Sequence, residues 1–403
     1  MLTNERINAL ARRLTDYTVD CRRTVHTYAE IGGKEYQTAA LVRSVLEELA
    51  LPWQPIAETG TLAVLDTGRP GPCVALRADL DALPVPAPPE NLAGPRCCIS
   101  ANPATSHACG HDAHTAMLLA AAKALCAERD TLIGKVLFCF EPGEENGVGS
   151  RPMLAAMAAY PVDTCWAIHV YAGLDSGKIC LDDGPRMAGA AGIDLTVHGK
   201  GGHGSRPDLS VNPVFCAAAI LNNVAAAWVN QIPAGQTVTL GVTQIHGGET
   251  YNVIPETAFI GGSMRFFDRA AGEKGVQVFK TVAEHTAALH GCTVEFSPRF
   301  NVVCAPVRND PHYAALARAA AAQLLPAGAV ASCEPWYASE SYSRYCAAYP
   351  SVMAHLGIRS PAAGSGAEHH NERFDVDESV LPLGVAATLG YVAAVQRNWY
   401  ESR

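Results

Sequence analysis

Residues 106–126 read SHACGHDAHTAMLLAAAKALC, a polar, histidine-rich loop that passes directly into an apolar run. The second half of this stretch, residues 115–126, has the length and apolar character of a buried helix. It lies between short apolar runs at 73–76 and 136–140, each of which ends near Gly, Pro or Asp, as buried strands do. This alternation of strand, helix and strand predicts an α/β domain with a partly parallel sheet.

Outward from this segment, the pattern changes twice along the chain. Residues 4–50 have helical apolar spacing, and a further strand-like run occurs at 165–170. After Gly184 the order becomes β-α-β-β-α-β, which is typical of a ferredoxin-like α+β unit. Helical spacing resumes after Pro306. We therefore predict two domains, with bounds of 1–184 and 301–403 for a discontinuous one and 185–300 for an inserted one.

The composition excludes several classes of protein. A chain of 403 residues exceeds one ordinary core, and 49% hydrophobic against 17% charged residues excludes global disorder. A net charge of −9 argues against nucleic acid as a main partner. The apolar stretches 214–229 and 314–325 are interrupted by polar residues, so we predict no membrane span.

The cysteines indicate a reducing compartment. There are 14 of them, with no Cys-x-x-Cys pair, and the first residues lack the apolar run of a secretory signal. We therefore expect a cytoplasmic protein in which most cysteines are small buried hydrophobes.

The loop at 106–114 is the strongest chemical signal. It holds three histidines, a cysteine and an aspartate. Thiolate and imidazole are preferred ligands of zinc-like cations, and Cys109 and His111, two residues apart in an extended loop, face the same way. The alternative is a helix start with exposed histidines.

Three weaker signals occur on other loops. Glu144 and Glu145 follow a strand, where one carboxylate can bind a metal and its neighbour can take a proton. His169 ends an apolar strand, and His369 and His370 lie in a polar loop. The alternative for Glu144 and Glu145 is a solvated acidic turn, and the alternative for His169 is a buried core histidine. Together, these loops supply Cys, His and Glu ligands from one sheet.

Two glycine-rich turns lie in the inserted segment. Residues 199–204 match Gly-x-Gly-x-x-Gly, but no acidic residue follows about twenty positions later and Pro207 interrupts the required helix, so we reject a dinucleotide site. We interpret this loop as presenting His203, and the turn at 247–256 as presenting Asn252. Ordinary turn chemistry remains the alternative for both.

These motifs resemble those of a known family. Residues 75–84 (ALRADLDALP) and 107–115 (HACGHDAHT) are similar to the M20 metallopeptidase clan, and most of all to its amidohydrolase branch of aminoacylases, hippurate hydrolases, auxin-conjugate hydrolases and N-acetyl-diaminopimelate deacetylases. The resemblance runs in family order from about residue 22 to 395. It implies an α/β fold, with a zinc-exopeptidase-like three-layer catalytic domain and an inserted ferredoxin-like dimerisation or lid domain.

The resemblance also implies a site with two divalent metal ions. Zinc or manganese is the first choice of metal, with cobalt or nickel as alternatives. Cys109 stands where peptidase relatives carry a bridging carboxylate, and His370 is preferred to His369 because the family's ligand stands four residues before a Phe, here Phe374. The implied ligands are Cys109, His111, Glu145, His169 and His370. Glu144 would be the general base, while His203, Asn252 and Arg265 would contact the substrate.

The implied activity is that of a metal-dependent amidohydrolase. It would cleave the amide bond of small N-acyl amino acids or related conjugates with metal-activated water, as a homodimer. A dipeptidase or carboxypeptidase, or an aromatic-amine deaminase, would use the same site, and a metal-dependent binding protein without catalysis is a remote alternative. Residues 86–106 and 338–342 depart from the family pattern, which leaves the acyl group and the amino acid open.

Overall fold

The structure is a computed structural model that describes residues 2–403. The chain divides into two compact units, with residues 2–184, 308–334 and 344–403 in the first and 185–307 and 335–343 in the second. The chain first passes from one unit to the other between residues 184 and 185, which is the boundary predicted from the sequence. The predicted segment 301–403 differs from the structure, because residues 301–307 and 335–343 group with the second unit. Strand Val302–Cys304 pairs with strand Gly189–His198 of that unit.

The first unit is built on a mixed sheet of eight strands. Their order across the sheet is Trp53–Ile56, Gly60–Asp66, Lys135–Glu141, Cys73–Asp79, Thr164–Asp175, Ser351–Arg359, Ile179–Cys180 and Val330–Ala331. The middle four strands are parallel to one another. The predicted, partly parallel sheet is thereby confirmed.

The two faces of this sheet carry alternate residues of each strand. Val74, Leu76 and Phe138 belong to a hydrophobic cluster that includes residues of six helices, whereas Cys139 and Cys165 point to the opposite face. The six helices are Asn4–Arg13, Thr15–Thr27, Tyr36–Glu48, His111–Ala127, Pro311–Leu324 and Leu381–Glu401. Two short helices pack on the other face of the sheet, Ser150–Met157 and Ser343–Ala348. The predicted three-layer α/β class is confirmed.

The parallel strands deliver polar residues to one edge of the sheet. Asp79 is in register with Glu141, the last residue of the neighbouring strand, and His169 lies on the strand beyond. Ligand sites of α/β sheets lie at the carboxyl ends of their strands. Helix His111–Ala127 begins at the same place and is buried along nearly its whole length.

The second unit has the predicted β-α-β-β-α-β order. Its strands are Gly189–His198, Val238–His246, Thr257–Phe266 and Thr293–Phe296, and its helices are Pro213–Gln231 and Arg269–Leu289. The strands are antiparallel in the order second, third, first, fourth, which is the ferredoxin-like arrangement. Five further short strands are Gly184–Met187, Gly202–His203, Val253–Ile254, Val302–Cys304 and Val307–Asn309.

Two helical segments are long and apolar enough to cross a membrane by length and composition alone. Residues 378–401 are mostly buried within the first unit, as expected of a core helix. Helix Pro213–Gln231 is mostly exposed, and it contains Asn222 and Asn223. The absence of a membrane span stays a prediction.

Candidate metal centre

The turn at Gly110 brings Cys109 and His111 to the start of a buried helix. His111 is the first residue of helix His111–Ala127, and Gly110 precedes it with φ +89°. A Cβ on Gly110 would stand 2.3 Å from Cγ2 of Val170, so the turn requires glycine. Cys109 and His111 are both buried. The turn therefore holds the two side chains in place at the edge of the sheet.

His111 has one anchored ring nitrogen and one that is available to a cation. Its Nδ1 lies 3.1 Å from Oδ1 of Asp81, and because a carboxylate accepts, Nδ1 carries the proton. Its Nε2 is buried and has no oxygen or nitrogen hydrogen-bond partner within residues 2–403. Metal-binding histidines are commonly held in this way, with a carboxylate on the far nitrogen. His111 Nε2 is therefore oriented as a ligand atom.

The Asp81 carboxylate also fixes the acidic turn. Its Oδ1 accepts the backbone N–H of Glu144 at 3.1 Å, and its Oδ2 accepts that of Glu145 at 3.0 Å. Gly143 opens this turn with φ +57°. Because Asp81 binds both motifs, Glu144 and Glu145 lie beside His111, and their ligand atoms are within 4.8 Å of one another.

His169 offers its other ring nitrogen to the same cluster. Its Nδ1 is 2.6 Å from the carbonyl oxygen of Val170, which can only accept, so Nδ1 is the protonated nitrogen. Its Nε2 lies 3.7 Å from the sulfur of Cys109. The lone pair of Nε2 is therefore directed at the thiol.

The adjacent histidines His369 and His370 contact different groups. His370 adopts φ +63°, and its Nε2 is 3.2 Å from Oε1 of Glu145. His369 is buried, and its Nε2 accepts the backbone N–H of Ala172 at 3.2 Å, so its Nδ1 carries the proton. That Nδ1 lies 3.8 Å from the Cys109 sulfur. This geometry favours His370 as the ligand and gives His369 the role of a donor to the thiolate.

Three clusters of ligand atoms consist of predicted site residues. They are Cys109 with His111 and His169, Cys109 with Glu145 and His370, and His111 with Glu144 and Glu145, each within 4.8 Å. A fourth cluster, Asp79 with His111 and His114, shares His111 with two of them. Cys109 belongs to two of these clusters, as a bridging sulfur would. The structure thus brings all five predicted ligands and the predicted base together, while their roles stay predictions.

The electrostatics of the cluster suit a cation. Burial raises the pKa of the Cys109 thiol well above its ordinary value, even though His111 opposes the shift. Burial lowers the pKa of His111, but Asp79 and Cys109 outweigh it and hold that pKa well above its usual range. The site therefore stabilises positive charge, and a bound divalent ion would in turn stabilise the thiolate. The sulfur, nitrogen and oxygen donors fit such an ion.

Three further residues support the cluster, Asp79, Asp81 and His114, and their roles were not predicted from the sequence. Asp79 lies 2.7 Å from Nδ1 of His114, whose Nε2 accepts the backbone N–H of Val170 at 2.9 Å. Both His114 nitrogens are thus used, so His114 supports the sheet edge rather than a metal. Arg77 donates to Asp79 at 2.7 Å and holds that carboxylate in place. Asp79 and Asp81 lie in the motif at 75–84, and His114 lies in the motif at 107–115.

The predicted substrate residues all lie in the second unit. His203 is exposed on strand Gly202–His203, and the loop after it contacts Asn252, whose carbonyl accepts the Gly204 N–H at 2.8 Å. Nδ1 of His203 accepts the backbone N–H of Ser205 at 3.1 Å, so neutral His203 carries its proton on Nε2.

Arg265 lies farther along the chain of the second unit, on strand Thr257–Phe266. It is half-buried, and it donates to the carbonyl of Met264 at 3.1 Å. Its contact with a substrate stays a prediction, as do those of His203 and Asn252.

Comparison with known proteins identifies the family. Residues 75–394 match the model of Peptidase family M20/M25/M40. The chain belongs to this family. Among relatives of this M20 protein, thermostable carboxypeptidase 1 of Saccharolobus solfataricus is 32% identical, over 95% of this chain and 96% of its own length. IAA-amino acid hydrolase ILR1-like 4 of Arabidopsis thaliana is 30% identical over 92% of this chain and 84% of its own length. N-acetylcysteine deacetylase of Bacillus subtilis is 31% identical over 91% of this chain and 93% of its own length.

A solved M20 structure shares the architecture. The YXEP protein of Bacillus subtilis, described as a dinuclear metal binding peptidase, superimposes with a TM-score of 0.81 at 27% identity, covering 96% of this chain and 99% of that one. The predicted family, fold and enzyme class are confirmed, and the protein is a metal-dependent amidohydrolase. This neighbour and the three donor clusters support a site for two divalent metal ions.

Proposed function

We propose that this M20 enzyme hydrolyses the amide bond of small N-acyl amino acids or related amino-acid conjugates. The observation that carries the proposal is the donor set around the buried Cys109, with Glu144 beside it on a turn fixed by Asp81. The relatives named as an IAA-amino acid hydrolase and an N-acetylcysteine deacetylase support this class of substrate.

Cys109, His111, Glu145, His169 and His370 would hold the two metal ions. When bound, such ions supply Lewis acidity, which acidifies water and polarises a carbonyl group. We propose zinc or manganese, with cobalt or nickel as alternatives, because sites of mixed nitrogen, oxygen and sulfur donors accept all four.

Glu144 is the proposed base. Its side chain is partly exposed, and its backbone N–H is bonded to Asp81, so the carboxylate stays at the cluster. It would accept a proton from the attacking water and return it to the leaving amine.

The second unit would bind the substrate. The Nε2–H of His203 is free of the Ser205 contact and would donate to the oxyanion, the interaction with the largest effect in such chemistry. Arg265 is half-buried and has no ion pair within residues 2–403, so we propose that it or Asn252 binds the substrate carboxylate.

We propose a homodimer that forms through helix Pro213–Gln231, where Phe215 and Val229 are exposed large hydrophobic residues. Light scattering of the purified protein measures this directly. We propose a cytoplasmic location because all 14 cysteines are free thiols.

A substrate panel tests the proposal. Chelated enzyme, with zinc or manganese added back, is offered N-acetyl, N-benzoyl and N-indoleacetyl amino acids together with dipeptides, and products are read by mass spectrometry. We expect metal-dependent release of an amino acid from an acyl conjugate. Cleavage of dipeptides alone would make the enzyme a peptidase, as the name of its Saccharolobus relative suggests. Release of ammonia alone would make it a deaminase.

Glu144→Gln tests the base. We expect hydrolysis to fall by about 10²–10⁴-fold, the usual contribution of a general base, while two metal ions per chain are retained. The control is Glu401→Gln, at an exposed position in the last helix, which should leave turnover unchanged. Near-normal turnover in Glu144→Gln would remove Glu144 from this role.

A further inference from the structure

Two adjacent cysteines lie outside the metal cluster, beside a buried arginine. Cys97 and Cys98 belong to the loop at 86–106, and Cys97 alone of the 14 cysteines is exposed. Nη1 of Arg22 lies 3.5 Å from the sulfur of Cys98 and 3.8 Å from that of Cys97. The Arg22 side chain is only 1% exposed.

The arginine is held rigidly by three carboxylates. Its Nε donates to Asp112 at 2.8 Å, its Nη1 to Glu378 at 3.1 Å and its Nη2 to Asp375 at 3.3 Å. Arg23 pairs with the same Glu378 at 2.6 Å. The guanidinium is therefore held in a fixed position, with Nη1 in contact with both sulfurs.

The two sulfurs are close neighbours, within 4.8 Å of each other. The Cys98 thiol and the Arg22 guanidinium lower the pKa of Cys97 to about 6, although partial burial, Glu378 and Asp375 oppose the shift. The Cys97 sulfur and burial raise the pKa of Cys98. The contact with Arg22 and the exposure of Cys97 therefore favour a reactive thiolate at Cys97 with a thiol beside it.

We propose that Cys97 and Cys98 form a peroxide-reactive dithiol, in which Cys97 attacks a hydroperoxide and Cys98 resolves the product. The Cys97 thiolate forms a bond to the terminal peroxide oxygen, the O–O bond breaks, and the leaving oxygen is protonated to water or an alcohol. The Cys98 sulfur then attacks the Cys97 sulfenic acid, an S–S bond forms and water leaves. Two thiols are oxidised to a disulfide while one hydroperoxide is reduced.

A metal site is the competing interpretation. The sulfurs of Cys97 and Cys98 and a carboxylate oxygen of Glu378 lie within 4.8 Å of one another. The Arg22 guanidinium, less than 4 Å from both sulfurs, repels a cation at that position but stabilises a thiolate. The charge therefore favours thiol chemistry.

The test uses the metal-loaded enzyme and stoichiometric hydrogen peroxide. Peptide mass spectrometry should find the first oxidation on the peptide that contains residues 97 and 98, as a loss of two hydrogen atoms that dithiothreitol reverses. In Cys98→Ser, we expect a sulfenic acid on Cys97 that dimedone captures.

Cys97→Ser should slow the first oxidation by at least ~10-fold, because Cys97 is the exposed thiol, whereas Cys180, whose pKa Cys333 lowers to about 7, is buried. The matched control, Cys126→Ser, removes a half-buried thiol whose pKa burial raises to about 11, and should leave the rate unchanged.

Two results would overturn the proposal. The first is oxidation that begins at any other cysteine, or proceeds at an unchanged rate in Cys97→Ser. The second is a third equivalent of zinc that the wild-type enzyme retains and Cys97→Ser loses, which would replace the dithiol with a metal site. None of these readouts depends on the substrate proposed above.

Discussion

At the scale of single residues, two neighbouring histidines differ in their expected contribution to metal binding. His370 directs Nε2 toward Glu145, while both nitrogens of His369 are engaged, by Ala172 and by the Cys109 sulfur. We expect His370→Gln to weaken metal retention by more than ~100-fold and His369→Gln by less than ~10-fold, since Gln also donates to sulfur. Competition with a chelator measures both. The reverse order would assign the ligand to His369.

Asp81 is a positioning residue for the cluster. It holds His111 through Nδ1 and both backbone N–H groups of the Glu144–Glu145 turn. Asp81→Asn should lower metal affinity by about 10–100-fold, the usual cost of losing a ligand's hydrogen-bond partner. Asp208→Asn, at an exposed position, is the control for the substitution itself. Equal affinities in the two variants would contradict the role.

The ligand types were predictable from the sequence, but this positioning was not. Cys109 and His111 are two residues apart in one motif, so the sequence alone identifies them as candidate ligands. Asp81 contacts Glu144 only because the strands that precede them, Cys73–Asp79 and Lys135–Glu141, are neighbours in the sheet. Its role therefore depends on strand pairing, which no local pattern reports.

At the scale of elements, the turn before helix His111–Ala127 decides whether the ligands converge. Gly110 has φ +89° and no room for a Cβ beside Val170, whereas Gly33 has φ +81° and open space. We expect Gly110→Ala to lower the free energy of unfolding by about 3 kcal/mol, from strain and overpacking together. Gly33→Ala should lower it by about 1 kcal/mol, from strain alone. Denaturant unfolding of the metal-free proteins compares them. Equal losses would show that contact with Val170 is relieved by repacking.

Long elements were predictable and short ones were not. Strand Lys135–Glu141 and helix His111–Ala127 carry apolar runs over several residues, and the sequence predicted both. Ile179–Cys180 and Val330–Ala331 have two residues each, which is too few for any periodicity. They are strands only because a neighbouring strand offers hydrogen-bond partners.

At the scale of the whole molecule, Arg22 joins parts of the first unit that are far apart in sequence. Its carboxylate partner Asp112 lies 90 residues later in the chain, and Asp375 and Glu378 lie 353 and 356 residues later. Arg22→Met should destabilise the protein by about 3–5 kcal/mol, because it leaves buried carboxylates unpaired. Arg12→Met, at an exposed position, should change stability by less than ~0.5 kcal/mol. Thermal and denaturant unfolding give both values, and a small loss in Arg22→Met would mean that water replaces the guanidinium.

The placement of strand Ser351–Arg359 has a consequence for biosynthesis. This strand pairs with Thr164–Asp175 in the middle of the catalytic sheet, yet the ribosome makes it long after its partner. The inserted unit is almost complete by residue 307, so it can fold while the catalytic sheet still has an open edge. At ordinary translation speeds, the edge strand Thr164–Asp175 stays unpaired for on the order of ten seconds before its neighbour is synthesised. We therefore expect chaperones that bind unpaired strands to bind the nascent chain. Slow expression at low temperature should increase the yield of soluble enzyme.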